Sequence, residues 1–175
     1  MKTLTVRGGL IAGFLLAGVP VAYGRAQVAP GARDSSARLD SAFRALQDRG
    51  RLHMGVDQYT SAHQFEPLPD GGRIALQREV PDSAGVAQIR RHLRTLQTAF
   101  EAGDFGTPAM VHDRPVPGTQ VMTARRARIQ YTFRELPQGG EIRLTTSDPA
   151  AIQAIHEFLA FQNSDHRTGA DHQHQ

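Results

Sequence analysis

The chain has no cysteine and no tryptophan, and Lys2 is its only lysine. The missing cysteine excludes disulfides, thiolate metal sites, a cysteine nucleophile and a lipid-modified N-terminal cysteine. The core must therefore hold the fold together unaided. Without a lysine in the body of the chain, no Schiff-base mechanism that needs a lysine is open. Aromatic residues make up only 6% of the sequence, too few for a platform on which bases stack. Catalytic motifs are missing as well. There is no Gly-x-Ser-x-Gly elbow, and Asp104-Phe105-Gly106 stands without the other loops that make this tripeptide a kinase signature. No histidine pair shows the helical His-Glu-x-x-His spacing of a zinc site.

What is present begins with an export signal. Lys2 and Arg7 lead an apolar stretch from Gly8 to Val21, followed by small residues at Ala22, Gly24 and Ala26. This is the pattern of a secretory signal peptide, assigned to residues 1–26. The stretch is shorter than the roughly 20 residues of a membrane span, and glycines and Pro20 interrupt it. The mature chain is therefore expected to be periplasmic or secreted, with no membrane association after cleavage. The formal charge of +3 belongs to the signal: cleavage after Ala26 leaves 17 bases against 17 acids. A neutral mature chain removes the electrostatic case for a nucleic-acid partner. About 150 residues remain, enough for one domain.

The organising feature is an internal repeat. Shifted by 68 residues, Gly50 to Leu76 falls on Gly118 to Leu144 without a gap. Met54 meets Met122, Phe65 meets Phe133, Leu68-Pro69 meets Leu136-Pro137, and Gly71-Gly72 meets Gly139-Gly140. After a two-residue gap, Asp82 meets Asp148, Ile89 meets Ile155 and Leu93 meets Leu159. Two copies are too few for a solenoid and indicate a duplicated half-domain. In each half, alternation such as Ile129, Tyr131, Phe133 predicts a strand. A turn containing the paired glycines leads to a second strand. An aspartate N-cap at Asp82 or Asp148 then opens a helix.

These elements predict an α+β domain over residues 35–166, with ββα halves at 50–102 and 118–166. The economical packing is a four-stranded antiparallel sheet with two helices on one face, preceded by one short helix from about Ser35 to Asp48. In that first helix Leu39, Phe43 and Leu46 share a face, and Gly50 reads as its stop. The order ββαββα is also a circular permutation of the ferredoxin-like βαββαβ order. Residues 27–34 read as a flexible lead-in, Gly103 to Gly118 as an irregular connector, and 167–175 as a disordered tail. Arg125-Arg126-Ala127-Arg128 reads as a solvated strand start.

Two long strings, Met54 to Arg73 (MGVDQYTSAHQFEPLPDGGR) and Ile155 to His166 (IHEFLAFQNSDH), resemble an uncharacterised group of short exported bacterial proteins. The resemblance spans roughly His53 to His166. It implies export and carries no activity, cofactor or site residue with it.

Histidines are the remaining chemical signal. His63 takes the place of Tyr131 on the strand face turned toward the helices, where a packed structural ring is the expected role. His92 matches Phe158, and His156 stands where the first half has Arg90. No histidine is duplicated, so any site they form is asymmetric. A metal site, for copper or zinc, would draw on His63, His112, His156 and His166, with Asp165 beside the last. Met54 and Met122 are soft ligands in principle, but as a repeat pair they read as packing. The function these residues support first is an exported binding or interaction module rather than an enzyme. A small metal-binding protein, or an acid–base enzyme using His63 and His156, is the alternative.

Overall fold

The structure is a computed structural model that describes residues 30–55 and 60–168. The signal-like segment and the tail histidines His172 and His174 lie outside the described residues. Helix α1 spans Pro30–Met54. Strands β1 (Ser61–Leu68) and β2 (Gly71–Arg78) form a hairpin and lead to helix α2 (Ser83–Glu101). Two short helices follow, α3 (Gly106–His112) and α4 (Thr119–Ala124). The second half then repeats the first, with β3 (Gln130–Leu136), β4 (Gly139–Thr145) and α5 (Pro149–His166). Among the described residues no helix is long and apolar enough to cross a membrane.

The four strands form one antiparallel sheet in the order β1-β2-β4-β3. That is the order a permuted ferredoxin-like chain requires. The register carries the duplication. Phe65 pairs with Ile74 in one hairpin and Phe133 with Ile142 in the other. Ile74 and Ile142, equivalent by the 68-residue shift, pair with each other across the central β2–β4 seam. A pseudo-twofold axis therefore runs through that pair.

The paired glycines serve this seam rather than the turns. Each hairpin closes through two residues, Pro69-Asp70 or Pro137-Gln138, and the glycines are already paired in the strands. A Cβ on Gly71 would strike the Leu144 carbonyl, and one on Gly139 would strike the Leu76 carbonyl. On the helix side, a Cβ on Gly72 would strike Leu159 and one on Gly140 would crowd Phe133 and Leu93. Glycine at these four positions lets two strands and two helices approach closely.

Each helix lies over the hairpin of the other half: α5 packs on β1 and β2, and α2 on β4 and β3. Equivalent side chains fasten both crossings. Arg90 on α2 donates to the Leu136 carbonyl at 2.9 Å, and His156 on α5 bonds the Leu68 carbonyl at 2.9 Å. The helices open alike, since Asp82 accepts from the Gly85 amide and Asp148 from those of Ala150 and Ala151. Their buried stripes, with Ile89 and Leu93 facing Ile155 and Leu159, close the core against Ile74, Leu76, Ile142 and Leu144.

Several sequence expectations are corrected. Gly50 does not stop α1, which begins at Pro30 within the expected lead-in and continues to Met54. Leu39 is exposed, and α1 is anchored by Leu46, Gln47 and Gly50, which are buried. The connector is not irregular throughout, because Pro108, Val111 and His112 bury one side of α3. Arg125 to Arg128 is not a strand start. It closes α4 and forms a 3-10 turn, from which Arg125 and Arg128 both reach the buried carboxylate of Asp148. Within the expected tail, Arg167 donates to Asp40 and to the Leu39 carbonyl and lies over the ring of Phe43.

Candidate functional site

One aromatic position of the sheet face and two of the helices build different things in the two halves. In the β3–β4 half, Tyr131 on the strand meets Phe100 at the end of α2, with ring centroids 6.0 Å apart. Phe100 also packs on Phe105 and Phe158. The result is an aromatic core. The 66-residue shift that relates the helices sends Phe100 to His166 and Phe158 to His92, while the strand shift sends Tyr131 to His63. The β1–β2 half therefore carries three imidazoles at the positions that hold phenyl and phenol rings in its twin. The same shift sends Leu96 to Gln162 and Ala99 to Asp165.

Between α2, α5 and β1 this substitution leaves a cavity of about 50 Å³. Its wall includes His63, His92, His112, Gln162 and His166 among apolar side chains such as Phe65, Leu76 and Leu93. Helix α3 roofs it with Thr107, Pro108 and Val111. Arg49 of α1 donates to the Val111 carbonyl at 2.7 Å and so fastens that roof. His63 and His92 keep part of their surface open, whereas His112 and His166 are buried. A space of this size holds roughly three to five water-sized groups.

The rings are in contact. His63 stacks on His166 at 4.9 Å, and His112 meets His166 edge-on at 5.1 Å. Neither ring nitrogen of His63, His92 or His166 makes a hydrogen bond among the described residues. Burial pushes His63 down to about 4, helped by the charges that His92 and His112 would carry. Burial alone takes His92 to about 4. It also holds His166 well below the ordinary histidine range, with His63 and His112 adding to the shift and Asp165 opposing it. These three rings are neutral at pH 7.

His112 is held differently. Its Nδ1 faces Asp165 Oδ2 at 2.5 Å and its Nε2 faces Gln162 Oε1 at 2.9 Å. Both contacts are made with oxygens, so His112, unlike the other three rings, has a polar neighbour at each nitrogen. Arg114 donates to the other oxygen of Asp165 at 2.5 Å. Gln162 is only 4% exposed, and its amide nitrogen has no partner.

Of the four candidate ligands named from the sequence, the fold brings His63, His112 and His166 to one cavity. His156 is elsewhere, fastening α5 to the β1 strand end. His92 and Gln162 join the site without having been singled out for it. Their signal lay in the repeat: continuing the helix alignment past Leu93 and Leu159 pairs Leu96 with Gln162 and Phe100 with His166. Among the described residues no group of three or more histidines and carboxylates is placed to hold a metal ion. Stacked rings face one another, so their nitrogen lone pairs, which lie in the ring planes, do not converge. Neither family models, nor curated proteins, nor solved structures give a match to this chain.

Proposed function

We propose that the protein is an exported binding module whose ligand, a small neutral molecule with an apolar body, occupies the histidine-lined cavity. The observation that carries this reading is the asymmetry between twins. Tyr131, Phe158 and Phe100 fill these positions in the other half with large packed rings, the Tyr131 hydroxyl itself being buried without a partner. His63, His92 and His166 replace them with rings that leave space and unpaired nitrogens. An unpaired polar group in an apolar setting costs stability. A ligand in the cavity that bonds to the three rings would pair them. The ligand is neutral because the burial that suppresses protonation of His63 and His92 penalises a buried ion equally.

His166→Phe tests this by restoring the residue of the other half. The variant should fold, keep or raise its melting temperature, and lose binding of acetone, a neutral molecule small enough for a cavity of about 50 Å³, by more than about tenfold in an NMR titration. Unchanged affinity would remove the cavity from consideration. A second reading, copper or zinc held by His63, His112 and His166, draws on the same unpartnered rings. It requires His63 and His166 to leave their stack, and elemental analysis of protein purified without an affinity tag separates it from the first.

A further inference from the structure

Helices α1 and α3 stand apart from the duplicated core. Each packs chiefly on the other, whereas α2 and α5 pack on the strands. Arg49 of α1 joins the pair by donating to the Val111 carbonyl of α3 at 2.7 Å. Leu46 of α1 and Val111 of α3 are buried, yet neither belongs to the hydrophobic core that unites the sheet with α2 and α5. Helix α3 gives the cavity its roof, and α1 backs α3 without lining the cavity. The other walls, α2, α5 and β1, are fastened to one another through Phe65, Ile89, Leu93, Ile155 and Leu159, all of them part of the core.

The pair is tied down at the end of α5, where three consecutive residues have three tasks. Asp165 holds α3: its Oδ2 meets His112 Nδ1 at 2.5 Å, and its Oδ1 accepts from Arg114, just beyond α3, at 2.5 Å. His166 lines the cavity and stacks on His63. Arg167 holds α1: it donates to Asp40 at 3.2 Å and to the Leu39 carbonyl at 2.9 Å, and lies over the Phe43 ring. Its backbone is left-handed, with φ 55, so α5 ends at the residue that grips α1.

We infer that α1 and α3 form a two-helix lid that opens as a unit to admit the ligand and is latched shut by the end of α5. The lid's role as a gate rests on the reading of the cavity as a ligand site; its motion does not. Opening breaks a few side-chain ties and the small contact of Leu46 and Val111 while the sheet stays whole, so it takes less free energy than unfolding the domain. A ligand that touches the closed roof shifts the lid toward closure.

Amide hydrogen exchange, followed residue by residue by NMR, tests this. In the wild type, Leu46 and Gln47 of α1 and Val111 and His112 of α3 should share one opening equilibrium, more open than that of Ile74, Leu76, Ile142 and Leu144 in the central strands. Arg167→Asn removes the grip on α1 and suits the left-handed backbone. It should speed exchange in both helices by the same factor, about three- to tenfold, and leave the central strands unchanged. Acetone, added until the ring-proton signals of His63 stop moving, should slow exchange in both helices of the wild type. If α1 opens without α3, or both exchange no faster than the central strands, there is no lid, and this comparison needs no variant. If acetone moves the His63 signals but leaves both helices unchanged, the gate is wrong while the cavity remains a binding site. If acetone does not bind at all, the cavity reading fails and the gate with it.

Discussion

At the scale of single residues, the protein keeps His63, His92 and His166 uncharged by desolvating them around one cavity, and stability should depend on pH accordingly. Their folded values lie below the ordinary histidine value of 6.5, at about 4 for His63 and His92. The unfolded chain therefore takes up protons first as pH falls, and binds more of them than the native state. Stability should be constant above pH 7 and decline from about pH 6.5 downward. The loss is roughly 1.4 kcal/mol per pH unit for each ring that stays neutral. Denaturant titrations between pH 7 and pH 5, above the range in which most carboxylates take up protons, measure this directly. His166→Phe should flatten the slope by one histidine's share. A wild-type stability that is level between pH 7 and pH 5 would mean the rings are not desolvated. His63 was legible from the sequence as a shielded ring because its strand position matches Tyr131. His166 was named with it as a possible co-ligand, but the stacking of the two rings was not legible, since the alignment of the halves does not say which helix covers which strand.

At the scale of elements, the repeat made both hairpins and both capped helices readable, down to Asp82 and Asp148 as N-caps. The purpose of the glycines was not readable. Paired glycines beside a turn look like turn residues, and only the β2–β4 pairing shows that Gly71 and Gly139 admit a neighbouring carbonyl. Gly139→Ala should accordingly destabilise the domain by about 3 kcal/mol or more, because a backbone carbonyl cannot move aside as a side chain can. Gly106→Ala, whose new methyl meets only the flexible Asp104 side chain, should change stability by less than about 1 kcal/mol. Thermal unfolding of the two variants side by side checks the account; equal effects would show that the seam tolerates a Cβ. The corrected elements have a common cause. The length of α1 and the helical turn at α3 depend on contact with each other, through Arg49 and the Val111 carbonyl, and local propensity at Gly50 or Pro108 does not contain that contact.

At the scale of the molecule, duplication supplies both a stable frame and its own control experiment. One half has an aromatic core around Phe100, Tyr131 and Phe158. The other has His166, His63 and His92 at the equivalent positions, with Gln162 and a fourth histidine, His112, from the connector between the halves. The central claim is that this second half is where the molecule meets its ligand. The most direct measurement follows the carbon-bound ring protons of every described histidine by NMR while acetone, which suits a cavity of about 50 Å³, is added to the wild-type protein. The account predicts that the signals of His63, His92 and His166 move together along one binding curve, while His156, tied to the Leu68 carbonyl outside the cavity, stays still. Signals that remain fixed in the cavity, or a response at His156 as large as that at His63, would contradict it.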